Sequence, residues 1–171
     1  TTAEGVSTAA SAEAAALGAD VVITMLPNGK IAQSVANQVL PVMGKGTVLL
    51  DCSTIDVATA RHIARLAEDR DISFLDAPVS GGVGGAEAGT LTFMVGGADE
   101  SFAAVTPLFD IMGRTAVLCG GAGNGQAAKI CNNMILGITM IGTCEAFALA
   151  DKLDLDRQAM FDVVSTSSGY S

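Results

Sequence analysis

The feature that most constrains this chain is the alternation of short, largely apolar runs with helix-patterned segments. Val21–Leu26, Thr47–Leu50, Ile72–Leu75, Leu91–Val95 and Ala116–Cys119 are strand-length runs without regular polar alternation. Ala12–Leu17, Asn28–Met43, Asp56–Glu68 and Glu100–Met112 read as helices. Gly18 is a plausible stop for the first helix, and Pro27 ends the first strand. Ser53 and Thr54, with Ile55, are the capping candidates before the third helix. Continuous apolar strands are covered on both faces, and helical crossovers between them set them parallel. The expected class is therefore α/β: a doubly wound, mostly parallel sheet.

After Gly125 the rhythm changes. Gln126–Lys152 reads as one helix of about 40 Å, from a rise of about 1.5 Å per residue, and Arg157–Ser165 as another. The glycine-rich Gly120–Gly125 marks a domain boundary, with 1–121 on one side and 122–171 on the other. Ile130–Ala150 is long and apolar enough to suggest a membrane span. Asn132, Asn133 and Glu145 interrupt it and Lys129 and Asp151 bracket it, so a buried core helix is the expectation.

Composition removes whole classes of function. With 50% hydrophobic and 16% charged residues the chain is not intrinsically disordered. A net charge of −9 repels nucleic acid and anionic membrane surfaces, so neither is an expected partner. The 4 cysteines are scattered and histidine occurs once, which offers no zinc-site spacing; reduced thiols in an intracellular protein are expected, and no metal. Thr1–Ala15 lacks a basic region before an apolar run, unlike a signal peptide, and the absence of an initiating methionine suggests an upstream segment.

In doubly wound sheets ligands bind beyond the carboxyl ends of the strands. Those ends are Leu26–Asn28, Asp51–Ile55, Asp76–Gly85 and Cys119–Gly125. Asp76–Gly89 holds five glycines, so Ser80 with the amides of Gly81 and Gly82 could seat a carboxylate, or the glycines could merely make turns. Gly120–Asn133 superficially resembles a dinucleotide fingerprint, but it is not the first strand-to-helix turn. Its informative pair is Lys129 and Asn133, four apart on one helix face among Ala127, Ala128, Ile130, Met134 and Ile135. An ammonium in an apolar setting loses its proton more easily, which suits proton transfer; a lysine snorkelling to solvent is the alternative. Thr54 could touch a cofactor, although helix capping is the favoured reading of the residues alone, and the Leu26-Pro27 turn has a similarly plain reading. His62, Glu145 and the Asp151, Asp154, Asp156 group read as ordinary helix and turn residues.

Taken in order, these segments resemble the β-hydroxyacid dehydrogenase family. The resemblance rests on Val22-Ile-Thr-Met-Leu-Pro27, Asp51-Cys-Ser-Thr-Ile55, Asp76–Gly97 (DAPVSGGVGGAEAGTLTFMVGG), Gly123-Asn-Gly-Gln-Ala-Ala-Lys-Ile-Cys-Asn-Asn133 and Ser167-Ser-Gly169. It implies a Rossmann-type sheet, incomplete here, followed by the long helix that begins an all-α domain. It further implies that Leu26, Pro27 and Thr54 contact NAD, with NADP left open. By the same resemblance Ser80, Gly81 and Gly82 bind the substrate carboxylate, Lys129 is the general acid/base, and Asn133 positions it or the substrate. The implied reaction oxidises 3-hydroxyisobutyrate to methylmalonate semialdehyde in valine catabolism. A reductase of tartronate semialdehyde or a related aldehyde acid, and a non-catalytic interaction module of the same fold, are the alternatives. A homo-oligomer, dimer or tetramer, is implied, in the bacterial cytoplasm or the mitochondrial matrix. The family's opening strand, phosphate loop and most of its helical domain have no counterpart here, so these residues alone are expected to be inactive.

Overall fold

The computed structural model describes residues 5–170. Its first half alternates as expected: α1 (Ala12–Ala16), β1 (Val21–Thr24), α2 (Gly29–Val39), β2 (Val48–Asp51), α3 (Val57–Glu68) and β3 (Ser73–Asp76). Each helix starts on a side chain that accepts an otherwise unpaired backbone N–H: Ser11 from Ala14, Asn28 from Ile31 and Asp56 from Thr59. Asp56, not Ser53 or Thr54, thus caps α3. α2 stops before Pro41, which has no backbone N–H to continue the helical ladder. β1 ends two residues earlier than expected, because the Leu26 N–H turns to the Ser53 hydroxyl.

Beyond β3 come β4 (Val79–Ser80), α4 (Gly82–Glu87), β5 (Leu91–Val95), α5 (Asp99–Met112), β6 (Gly113–Leu118), α6 (Asn124–Lys152) and α7 (Arg157–Thr166). The glycine loop therefore holds two short elements that its composition concealed. β1, β2 and β3 form a parallel sheet in that order; β5 pairs parallel with β6 and antiparallel with β4. An antiparallel bridge between Asp76 and Gly96 joins the two sheets. The architecture is α/β with mostly parallel pairing, and the carboxyl ends of β3 and β5 meet head to head.

Alternate residues of β2 and β3 face two cores. Leu49 and Phe74 pack with α2 and α3 through Ala32, Ala36, Ile63 and Ala67. Leu50 and Leu75 pack with Phe93, Val95, Val105 and Phe109. Leu50 and Leu75 are fully buried, each stabilising the fold by about 2 kcal/mol relative to exposure. β1 is less buried than its apolar run suggests: it is paired on one side only, and Ile23 is exposed.

The chain divides into two compact units, Thr1–Lys129 and Ile130–Ser171. The second contains the greater part of α6 and all of α7, joined by a turn in which Asp151 receives a two-pronged bond from Arg157. The expectation of a buried core helix fails here. Only 6% of the most apolar window of α6 is buried, with Met134, Ile135, Leu136, Ile138 and Ile141 all exposed. Apolar residues surround this helix rather than forming one stripe, and α7 is too short to cover them.

Candidate functional site

The first unit gathers the four segments at its strand ends into one hydrogen-bonded assembly. At the end of β2, Asp51 is buried and its Oδ1 accepts bonds from Thr24 Oγ1 at 2.8 Å, from the Ser53 N–H at 3.2 Å and from the Ser53 hydroxyl. Ser53 Oγ in turn accepts the Leu26 N–H at 2.8 Å. The turn carrying Leu26 and Pro27 is thereby tied to the turn carrying Thr54. Asp51 Oδ2 is buried and has no partner among the described residues. A buried carboxylate is costly unless bonded, so one shared oxygen serves here as the organiser of two strand ends.

Gln126, in the first turn of α6, makes the next connection. Its Oε1 accepts the Ile55 N–H at 3.0 Å and its Nε2 donates to the Ser53 carbonyl at 2.7 Å. Both residues flanking Thr54 are thus pinned and buried, while Thr54 itself is exposed. Asp56 and not Thr54 caps α3, so the plain reading that sequence favoured for Thr54 does not hold. Pro27 is exposed and Leu26 half-buried beside it. An exposed hydroxyl and an apolar surface on adjacent, rigidly held strand ends fit the ribose and ring faces of a nicotinamide cofactor.

Asp76 anchors α6 itself. Its Oδ1 accepts the Gly123 N–H at 2.7 Å and its Oδ2 the Gln126 N–H at 2.8 Å, so an anion sits on the helix N-terminus, where the exposed amides and the macrodipole favour it. Burial pushes this carboxyl up to about 6, against the downward pull of those two donors. Asn124 Nδ2 donates to the Cys119 carbonyl and Arg61 Nε to that of Ala122, which holds the approach to the helix.

The raised carboxyl makes a pH prediction. The folded state holds the Asp76 proton up to about pH 6, whereas an unfolded aspartate releases it near pH 4. The native state therefore binds more protons in that window, and the group's contribution to stability falls as pH rises from about 4 to about 6, by about 3 kcal/mol in total. Asp76→Asn lacks this loss. Its melting temperature relative to the parent should climb between pH 4.5 and pH 7; a gap that is flat or runs the other way overturns the assignment.

Lys129 lies one turn after Gln126 and is half-buried. Asn133 follows one turn later on α6, exposed, in the second unit. Ser80 is half-buried at the end of β4, opposite Thr92 of β5. Gly81 and Gly82 follow with φ of 135° and 62°, a left-handed backbone that explains glycine at both. Among the described residues no hydrogen bond joins this loop to Lys129. Sequence reasoning did not single out Asp51, Ser53, Asp76 or Gln126 as organisers. The available signal was two aspartates, each ending an apolar strand where a buried charge must find partners.

Residues 1–121 match the family model of the NAD binding domain of 6-phosphogluconate dehydrogenase. Residues 123–171 match the model described as the NAD-binding region of NADP-dependent 3-hydroxyisobutyrate dehydrogenase. The human mitochondrial 3-hydroxyisobutyrate dehydrogenase is 51% identical over 154 residues, covering 88% of this chain and 46% of the relative. A probable 3-hydroxyisobutyrate dehydrogenase of Mycobacterium bovis is 47% identical over 167 residues, covering 98% and 57%. A solved structure of the Mycobacterium tuberculosis 3-hydroxyisobutyrate dehydrogenase with L-serine superposes with a TM-score of 0.93 at 46% identity, over 95% of this chain and 56% of that one. The chain spans about half the length of the curated relatives it matches. With both of its parts matched by such models, and in the same order, the chain belongs to the β-hydroxyacid dehydrogenase family, residues 1–121 lying in the family of the 6-phosphogluconate dehydrogenase NAD-binding domain.

Proposed function

We propose that the protein oxidises a small 3-hydroxy acid with NAD, NADP remaining an open second cofactor, and that the substrate is 3-hydroxyisobutyrate, converted to methylmalonate semialdehyde in valine catabolism. The observation that carries this reading is the assembly in which Gln126 joins the Thr54 turn to the helix bearing Lys129. Relatives named for this substrate support it, as does the mycobacterial structure with L-serine, which is itself a small acid with a hydroxyl on its third carbon. Nicotinamide, when bound, supplies the acceptor for the hydride.

The remaining tasks fall to this chain. Leu26, Pro27 and Thr54 form the surface that holds the cofactor. Ser80, with the amides of Gly81 and Gly82, holds the substrate carboxylate, where N–H and O–H donors suit a planar anion. Lys129 Nζ in its neutral form takes the hydroxyl proton as the carbonyl forms, and returns it in the reverse direction. Asn133, on the same helix, orients the lysine or the substrate. We also propose a homo-oligomeric whole protein that acts without nucleic acid or membrane. Relatives named from mitochondria and from bacteria support a matrix or a cytoplasmic setting according to source.

The whole protein, given 3-hydroxyisobutyrate, should reduce NAD or NADP at a measurable rate, and faster than it processes tartronate semialdehyde in the opposite direction. Absence of cofactor reduction with both nicotinamides, across 3-hydroxyisobutyrate and L-serine, would remove the reading. A preference for tartronate semialdehyde would move the substrate within the class.

A further inference from the structure

We infer that Gln126 is the positioning residue that couples the cofactor-side turn at Thr54 to the catalytic lysine, setting both from one buried amide. The inference rests on the reading of Thr54 and Lys129 given above. Gln126 is 1% exposed, and a primary amide that deep must satisfy both its donor and its acceptor side. Among the described residues it does so on the two that flank Thr54: the Ile55 N–H and the Ser53 carbonyl. The bonds span 71 and 73 residues of sequence, so they are tertiary ties and not local turn geometry. The backbone N–H of the same residue is held by Asp76 Oδ2. One residue therefore receives its position from β3 and passes it to the turn after β2, while the next helical turn carries Lys129.

The chemistry explains why glutamine suits this position. An ionised glutamate would meet the Ser53 carbonyl with an acceptor where a donor is needed, and lysine or arginine would meet the Ile55 N–H with a donor where an acceptor is needed. Asparagine is one methylene shorter, so it would reach the turn only if the helix moved toward β2. Because the amide bonds to backbone on both sides of Thr54, it fixes that residue's position without competing for its hydroxyl. A loss of the amide would free the Thr54 turn and the first turn of α6 together.

Two variants of the whole protein test this. Gln126→Met keeps the chain length and removes both bonds. Gln126→Glu keeps the acceptor for Ile55 and, when protonated, also a donor for Ser53. Without cofactor, hydrogen exchange at the Ile55 amide should be about tenfold faster in Gln126→Met while Leu49 and Leu50 in β2 keep their protection. With cofactor, KM for the nicotinamide should rise by about tenfold or more and kcat should fall with it, since small misplacements of reacting groups are costly. Gln126→Glu should recover toward the parent in exchange and cofactor affinity as pH is lowered. A loosened Ile55 with KM and kcat within about twofold of the parent overturns the coupling. So does equal loss of protection at Ile55, Leu49 and Leu50, which marks a merely structural role. If Gln126→Met does not fold, Gln126→Glu carries the same readouts. A parent without turnover counts against the proposed reaction alone; cofactor affinity measured by titration then takes the place of KM, and the coupling is judged on that.

Discussion

If the proposed reaction holds, Lys129→Ala in the whole protein should lower turnover of 3-hydroxyisobutyrate by roughly 10²–10⁴-fold, the usual contribution of a positioned general base, while cofactor affinity stays close to that of the parent. Lys129 stands on the second turn of α6, a helix whose start is fixed by Asp76 and by the Gln126 amide, so its backbone does not depend on its own side chain. Truncation should therefore remove the proton acceptor without disturbing the Thr54 turn. Lys129→Arg separates proton transfer from simple charge. A guanidinium stays protonated at any working pH and cannot take the hydroxyl proton, so this variant should be nearly as impaired as alanine. Added alkylamines should restore part of the rate to Lys129→Ala and none to Lys129→Arg, whose side chain fills the space. An arginine variant with near-parental kcat would recast Lys129 as an electrostatic anchor. An alanine variant within about tenfold of the parent would remove it from the proton path.

Much of this architecture was legible in the sequence because periodicity and strand length report burial directly. The runs around Leu49-Leu50 and Phe74-Leu75 predict strands covered on both faces, and their side chains divide between two cores. What the sequence concealed depends on tertiary pairing. Ser53 and Thr54 look like helix caps because they precede a helix, yet Asp56 is the cap, and Ser53 spends its hydroxyl on Asp51 and the Leu26 N–H. β4 and α4 were hidden because five glycines carry no periodic apolar signal. The long helix shows the reverse failure. Its apolar residues predict burial, but burial needs a covering element, and neither α7 nor the rest of its own unit supplies one. Gln126 reads as an unremarkable polar residue in an alanine-rich helix start; only the distant Ser53 and Ile55 reveal its use.

Gly125→Ala should destabilise the protein by about 3 kcal/mol or more, the second-largest effect expected from a single substitution. In sequence the glycines at 120, 121, 123 and 125 look alike, as a flexible phosphate-binding run would. Their surroundings differ sharply. A Cβ on Gly125 would overlap the Met94 carbonyl, and would lie 2.5 Å from the Asp76 carbonyl and 2.8 Å from its carboxylate. The Asp76 carbonyl cannot withdraw, because it accepts the Gly96 N–H at 2.7 Å in the bridge that joins the sheets. Nor can the carboxylate, which is committed to Gly123 and Gln126. The helix would have to lift from β3, stripping an ionised, buried Asp76 of its donors and moving Gln126 off the Thr54 turn. Gly121 provides the internal control: a Cβ there meets nothing within 4 Å, so Gly121→Ala should change stability by no more than about 0.5 kcal/mol. Chemical denaturation of both variants beside the parent measures the difference. Equal, small effects at the two positions would mean that the run is flexible and that Asp76 does not seat the helix; a large loss at Gly125 alone means that Asp76 can seat the start of α6 only where no Cβ stands between them.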